Sequence, residues 1–82
     1  MSQHEKLAAD FKACTGPFPY RDVQRLLRAL GYEESSGKGS GRRFHNPATG
    51  HIIRLHEPHP GNDILFYLVK QIRASLEEKG LI

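Results

Sequence analysis

The chain is poor in the residues that most often announce a chemistry. Of its 82 residues one is cysteine, Cys14, and none is tryptophan. A lone thiol excludes an internal disulfide framework and any metal site built from several cysteines, and it fits a reducing, cytoplasmic setting. Long apolar runs are missing as well. The longest, Ile64 to Val69, falls far short of the ~20 residues that cross a bilayer, and Met1 to Lys6 has no apolar core of the signal-peptide kind. Gly37, Gly39 and Gly41 lie close together, but no Lys-Ser or Lys-Thr pair follows them and the next element reads as a strand. A nucleotide-binding phosphate loop is thereby excluded, and no cofactor is expected. There is no internal repeat, and the one biased tract is the Gly/Ser-rich link from Ser35 to Gly41, flexible in composition. A single domain spanning 1–82 is expected. At this length it buries only about 60–65% of its unfolded surface, so the core is small and a deep enclosed active site is not expected.

What the chain does have is a modest excess of positive charge, 12 Lys and Arg against 9 Asp and Glu, for a net +3 and a pI near 9.3. Such a balance favours an anionic partner without naming it. The positive groups concentrate from Lys38 to Pro60, which holds four of the five histidines and Arg42, Arg43 and Arg54. Apolar and basic residues interleave there on both sides of Asn46-Pro47-Ala48-Thr49-Gly50, the pattern of a β-hairpin with one packed and one basic face. A five-residue loop pairing His45 with His51 would set Gly41, Arg43, His45, His51, Ile53 and Leu55 on one face. The four-residue alternative turns Phe44, His51, Ile53 and Leu55 inward and Arg43, Ile52, Arg54 and His56 outward. It separates apolar from basic groups more cleanly and is preferred.

Around the hairpin the periodicity is helical. Leu7, Ala8, Phe11 and Cys14 predict a short amphipathic helix from Ser2 to about Cys14, stopped by Thr15-Gly16-Pro17. Val23, Leu26, Leu27 and Leu30 predict a second, with Gly31 just past its end; Arg21, Arg25 and Arg28 on its other faces read as a solvated surface. Tyr32-Glu33-Glu34 opens a first strand. Pro60-Gly61-Asn62-Asp63 reads as a turn into a last helix, with Asn62 or Asp63 as its cap. Leu65, Leu68, Val69, Ile72 and Leu76 form its buried stripe, Phe66 and Tyr67 widen it, and Lys79-Gly80 closes it. The expected fold is α+β, helix-helix-strand-strand-strand-helix, a three-stranded antiparallel sheet covered on one face by helices.

Five histidines invite a metal, but His56 and His59 are the one close pair and no cysteine stands near, so no metal site is expected. Cys14 has no histidine nearby in sequence, and Ser40 lies in no nucleophile elbow. A basic, histidine-bearing sheet remains. Cleavage of RNA without metal needs a base for the 2′-hydroxyl proton, an acid for the leaving oxygen and cations for the phosphate, and His45, His51, His56, Arg42, Arg43 and Arg54 supply such groups in one hairpin.

The order Leu26-Leu27-Arg28-Ala29-Leu30-Gly31-Tyr32, Gly37-Lys38-Gly39-Ser40, a basic strand, Asn46-Pro47-Ala48-Thr49-Gly50, then His59-Pro60-Gly61-Asn62-Asp63-Ile64 before a helix, resembles the HicA toxin family. The likeness runs from about Tyr20 to Ile82, leaving residues 1–16 as a helical extension on a core of 20–82. It implies a fold like the double-stranded-RNA-binding domain, an mRNA interferase activity, and a HicB antitoxin that covers the active face. It also implies a catalytic histidine just after the Gly-Ser pair, where this chain has Gly41-Arg42-Arg43, while His59 matches the histidine of the family's Pro-x-His-Pro motif. The base is then expected to be His56 or His45. The RNA-binding set is expected to be Lys38, Ser40, Arg42, Arg43, Arg54 and His59, and the readings are a divergent nuclease, a module that binds RNA or antitoxin without cutting, or an interaction domain.

Overall fold

The computed structural model describes residues 3–37, 39, 41–58 and 61–82. Its elements in chain order are α1 (Gln3–Ala13), β1 (Phe18–Pro19), α2 (Tyr20–Ala29), β2 (Glu33–Ser36), β3 (Gly41–His45), β4 (Ile52–His56), β5 (Asp63–Ile64) and α3 (Phe66–Glu78). β2, β3 and β4 form an antiparallel sheet in that order, and the chain is α+β as its patterning predicts.

The hairpin takes the preferred register. Phe44 pairs with Ile53 and Arg43 with Arg54, and the Asn46 amide donates to the His51 carbonyl at 2.9 Å, closing a four-residue loop from Pro47 to Gly50. Asn46 explains why the loop is that length. Its side chain is buried; Oδ1 accepts from the Ala48 amide at 2.9 Å and Nδ2 donates to the Leu30 carbonyl at 3.3 Å. One amide thus shapes the turn and ties it to the end of α2. Since a slip of one residue would turn Phe44, Ile53 and Leu55 to solvent, the buried face holds the register as firmly as the turn does.

The inner face packs on α2 and α3. Val23, Leu26 and Leu27 from α2 and Val69, Ile72 and Leu76 from α3 bury themselves with Phe44, Ile53 and Leu55 in one core. Both helices end alike. The Tyr32 amide reaches back to the Leu27 carbonyl and the Leu81 amide to that of Leu76, each at 2.9 Å, across Gly31 and Gly80 at φ +100° and +72°. A residue with a Cβ is strained in that left-handed backbone, so glycine sits at each stop.

Three expectations are corrected at the other end of α3. Asn62 and Asp63 do not cap it: the helix starts after Leu65, without a side-chain cap bond. Asp63-Ile64 instead pairs with Phe18-Pro19 as a second, two-stranded ribbon, helped by the Tyr20 amide donating to the Asn62 carbonyl at 2.8 Å. Leu65, expected in the buried stripe, and Tyr67, expected to widen it, are 59% and 57% exposed. The ribbon holds Ile64 in the core, so its neighbour Leu65 turns outward, the period of a strand replacing that of a helix.

α1 lies on α2 and α3. Its Phe11 is fully buried, edge-on to Phe18 with ring centroids 5.1 Å apart. Arg73 of α3 closes the helix end, donating from Nη1 to the carbonyls of Lys12 and Cys14 at 3.0 Å each.

Candidate nucleic-acid interface

With helices on one face, the other face of the sheet is open to solvent, and alternation decides what it carries. Cross-strand pairing sets three rows on it: Glu33, His45 and Ile52; Ser35, Arg43 and Arg54; and Gly41 with His56. Because Asn46 and His51 exchange a ladder hydrogen bond, the Arg43–Arg54 and Gly41–His56 pairs are the non-bonded kind, in which Cα atoms come within about 4.5 Å and side chains crowd closest. Two exposed guanidinium groups therefore stand side by side with no described acid between them. Like charges directly opposite destabilise a sheet, and a pair retained there suits an anion better than it suits the fold. Beside them is a hollow of about 300 Å³ lined by Gly37, Gly41, Arg43, Arg54 and His56 among others.

The hairpin's cations and histidines do not all meet here. Arg42 extends under the sheet, donating to the Gly41 carbonyl at 2.9 Å and to Glu57 at 3.0 Å. His51 also faces inward; its Nδ1 shares a 2.6 Å hydrogen bond with the Tyr32 hydroxyl, whose pKa burial raises. His45 is on the open face, but four residues of strand separate its row from that of Gly41 and His56. At about 3.4 Å per residue, His45 and His56 stand roughly 14 Å apart, too far to serve one phosphate. Of the two histidines expected as base, His56 is the one beside the arginine pair. Lys38, Ser40 and His59 lie outside the described residues.

The third strand was the part least visible beforehand. Glu33 and Ser35 flank the basic rows, and only the alternation Glu33, Ser35, Gly37 hinted that they share the face. Beneath the sheet, Glu34 accepts from Gln24 at 2.8 Å and Arg28 at 2.7 Å. The nearby Tyr20 hydroxyl is buried with no hydrogen-bond partner, and its pKa rises to about 12, first through loss of water and then through the negative charge of Glu34. Among the described residues no three of His, Cys, Asp and Glu come together as a metal cluster, and no helix is long and apolar enough to cross a membrane.

The family model describing the HicA toxin of bacterial toxin–antitoxin systems matches residues 20–81. The chain belongs to the HicA toxin family. The matched segment takes in the whole three-stranded sheet, α2 and α3, and so both arginines and His56. We found no match among curated proteins and none among solved structures. The resemblance implies a histidine just after the Gly-Ser pair, where this HicA-family chain reads Gly41-Arg42-Arg43, and the residue directly across the ladder from Gly41 is His56.

Proposed function

We propose that this toxin is a metal-independent mRNA interferase, at work in the cytoplasm and restrained by a HicB-like antitoxin, and that it holds RNA on the open face of its sheet. The observation that carries the reading is the Gly41–His56 pair beside Arg43 and Arg54. His56 stands on β4 directly across the ladder from Gly41, which has no side chain, so in this reading the base comes from the neighbouring strand while the arginines keep the phosphate site. Arg43 and Arg54 grip the scissile phosphate from two sides, each able to offer two parallel N–H donors. His56, exposed on the same face, takes the 2′-hydroxyl proton. The 2′-oxygen then bonds to phosphorus and the 5′-oxygen leaves, taking a proton from solvent, which yields a 2′,3′-cyclic phosphate and a 5′-hydroxyl end. Lys38, Ser40 and His59 belong to the proposed RNA-binding set. Arg42 joins it through the backbone it fixes, since its guanidinium is held by Glu57 and two carbonyls.

Purified protein incubated with RNA in chelator should cut, and His56→Ala should abolish cutting while leaving salt-dependent binding in place. Cleavage that persists in His56→Ala at the wild-type rate sinks the assignment. A second reading, binding without cleavage, is favoured by one observation, the lack of a histidine from Gly41 to Arg43. RNA that is bound but left intact by the wild-type protein selects it.

A further inference from the structure

The sheet ends at β4. β3 occupies one side of it, and no described residue pairs with the other. The ladder's alternation assigns the spare groups: Ile53 and Leu55 spend their backbone N–H and C=O on β3, while those of Ile52, Arg54 and His56 point away. A row of unpaired donors and acceptors is a template for another strand, and chains usually blunt it with proline, a bulge or a covering element. Within its five residues β4 has no proline; the one device it carries is the charge of Arg54, which turns away a like-charged edge and admits an acidic one. Two hollows instead follow the edge on the α3 side, about 170 Å³ beside Ile52, Arg54 and Gln71 and about 310 Å³ beside His56 and Leu65, with Leu68 lining both. Two of the three large apolar residues exposed among the described residues, Ile52 at 37% and Leu65 at 59%, flank this same line.

We propose that the β4 edge is the docking site of an extended strand of the partner antitoxin, which adds to the sheet as its fourth strand, with a carboxylate beside Arg54 and an apolar residue over Leu68. Main-chain bonds supply affinity in this mode, and the alternate side-chain hollows supply specificity. Charge chooses the occupant. A second copy of this chain, itself at +3, pairing edge to edge about Arg54 would bring two more arginines face to face, which the ladder disfavours. An acidic strand removes that conflict and also offsets the Arg43–Arg54 repulsion. The inference rests on membership of a toxin–antitoxin family and not on RNA cleavage.

The test uses the full-length toxin and, as probe, the purified protein encoded by the reading frame adjacent to its own. Amide hydrogen exchange on the complex should slow at Ile52, Arg54 and His56 together. Ile52→Pro deletes one outward N–H and no ladder bond to β3; it should weaken antitoxin binding by roughly tenfold, as one unmade backbone hydrogen bond does. Ile52→Ala keeps the N–H and should weaken it less. Unchanged exchange at the three amides, or equal affinities for the proline and alanine variants, overturns the proposal, as does a toxin dimer in sedimentation that Ile52→Pro dissolves. RNA binding measured on the same samples keeps the two readings apart: its absence, with the three amides protected, removes the interferase reading and leaves this one standing.

Discussion

Arg54→Glu should make the toxin more stable and worse at holding RNA. In the folded chain Arg43 and Arg54 are direct cross-strand neighbours on the open face. An opposite-charge pair in that relation contributes about 0.2–1 kcal/mol relative to two alanines, and a like-charge pair costs a similar amount. Both side chains are exposed, and water and salt weaken such terms, so the swing expected from the reversal is about 0.5–1 kcal/mol. In a domain of 60–100 residues this corresponds to a rise in Tm of roughly 2–8 °C. The wild type should itself gain stability as salt screens its arginine pair, and the variant should not. Binding moves the other way: loss of one phosphate contact to single-stranded RNA flattens the slope of log affinity against log salt by about 0.7. Urea titrations of both proteins at low and high salt, with fluorescence anisotropy of a labelled RNA across the same salt range, measure both effects. An Arg54→Glu protein less stable than wild type at low salt, or one with the wild-type salt slope, would refute the reasoning.

Tyr20→Phe removes a hydroxyl buried without a partner and should raise stability by about 1 kcal/mol in a urea titration; a loss would mean that the hydroxyl is bonded in solution. The same residue sets an alkaline limit. Its pKa in the folded chain is raised to about 12 from 10.0, so the unfolded chain loses this proton first, and stability complete below pH 10 should drain away between pH 10 and 12. Thermal melts across that range should show the fall, smaller in Tyr20→Phe. Asn46→Ala deletes the bonds to Leu30 and Ala48 and should cost about 1–3 kcal/mol on denaturation, since it strands buried backbone groups. In a His56→Ala background, Gly41→His should restore part of the cleavage by bringing an imidazole back from the opposite strand; RNA left intact by the double variant counts against the exchange of places.

The hairpin was legible because its pattern has two independent witnesses. Phe44, Ile53 and Leu55 need one face, Arg43, Arg54 and His56 need the other, and only one register satisfies both. The helix stops at Gly31 and Gly80 were legible for a local reason, a backbone conformation that glycine adopts without strain. The β1–β5 ribbon was not. Two residues are too few to show a period, and Phe18 finds Ile64 across most of the chain, so nothing near either strand announces the pairing. The same distance hid the fate of Arg42, whose partner Glu57 is fifteen residues away. Composition placed six possible groups in the hairpin, and only the pleat could divide them into those that meet solvent and those held beneath.

Phe11 and Arg73 bear on where this molecule begins as a folding unit. The segment shared with the family starts at Tyr20, and a chain trimmed to it would lose a fully buried phenylalanine, the strand that holds Ile64 in place, and the carbonyls that Arg73 grips. Emptying one phenylalanine site alone costs about 3–5 kcal/mol, a large share of the 5–15 kcal/mol that typically keeps a domain folded. Inherited likeness and physical autonomy thus have different borders here: the first helix lies outside the former and inside the latter.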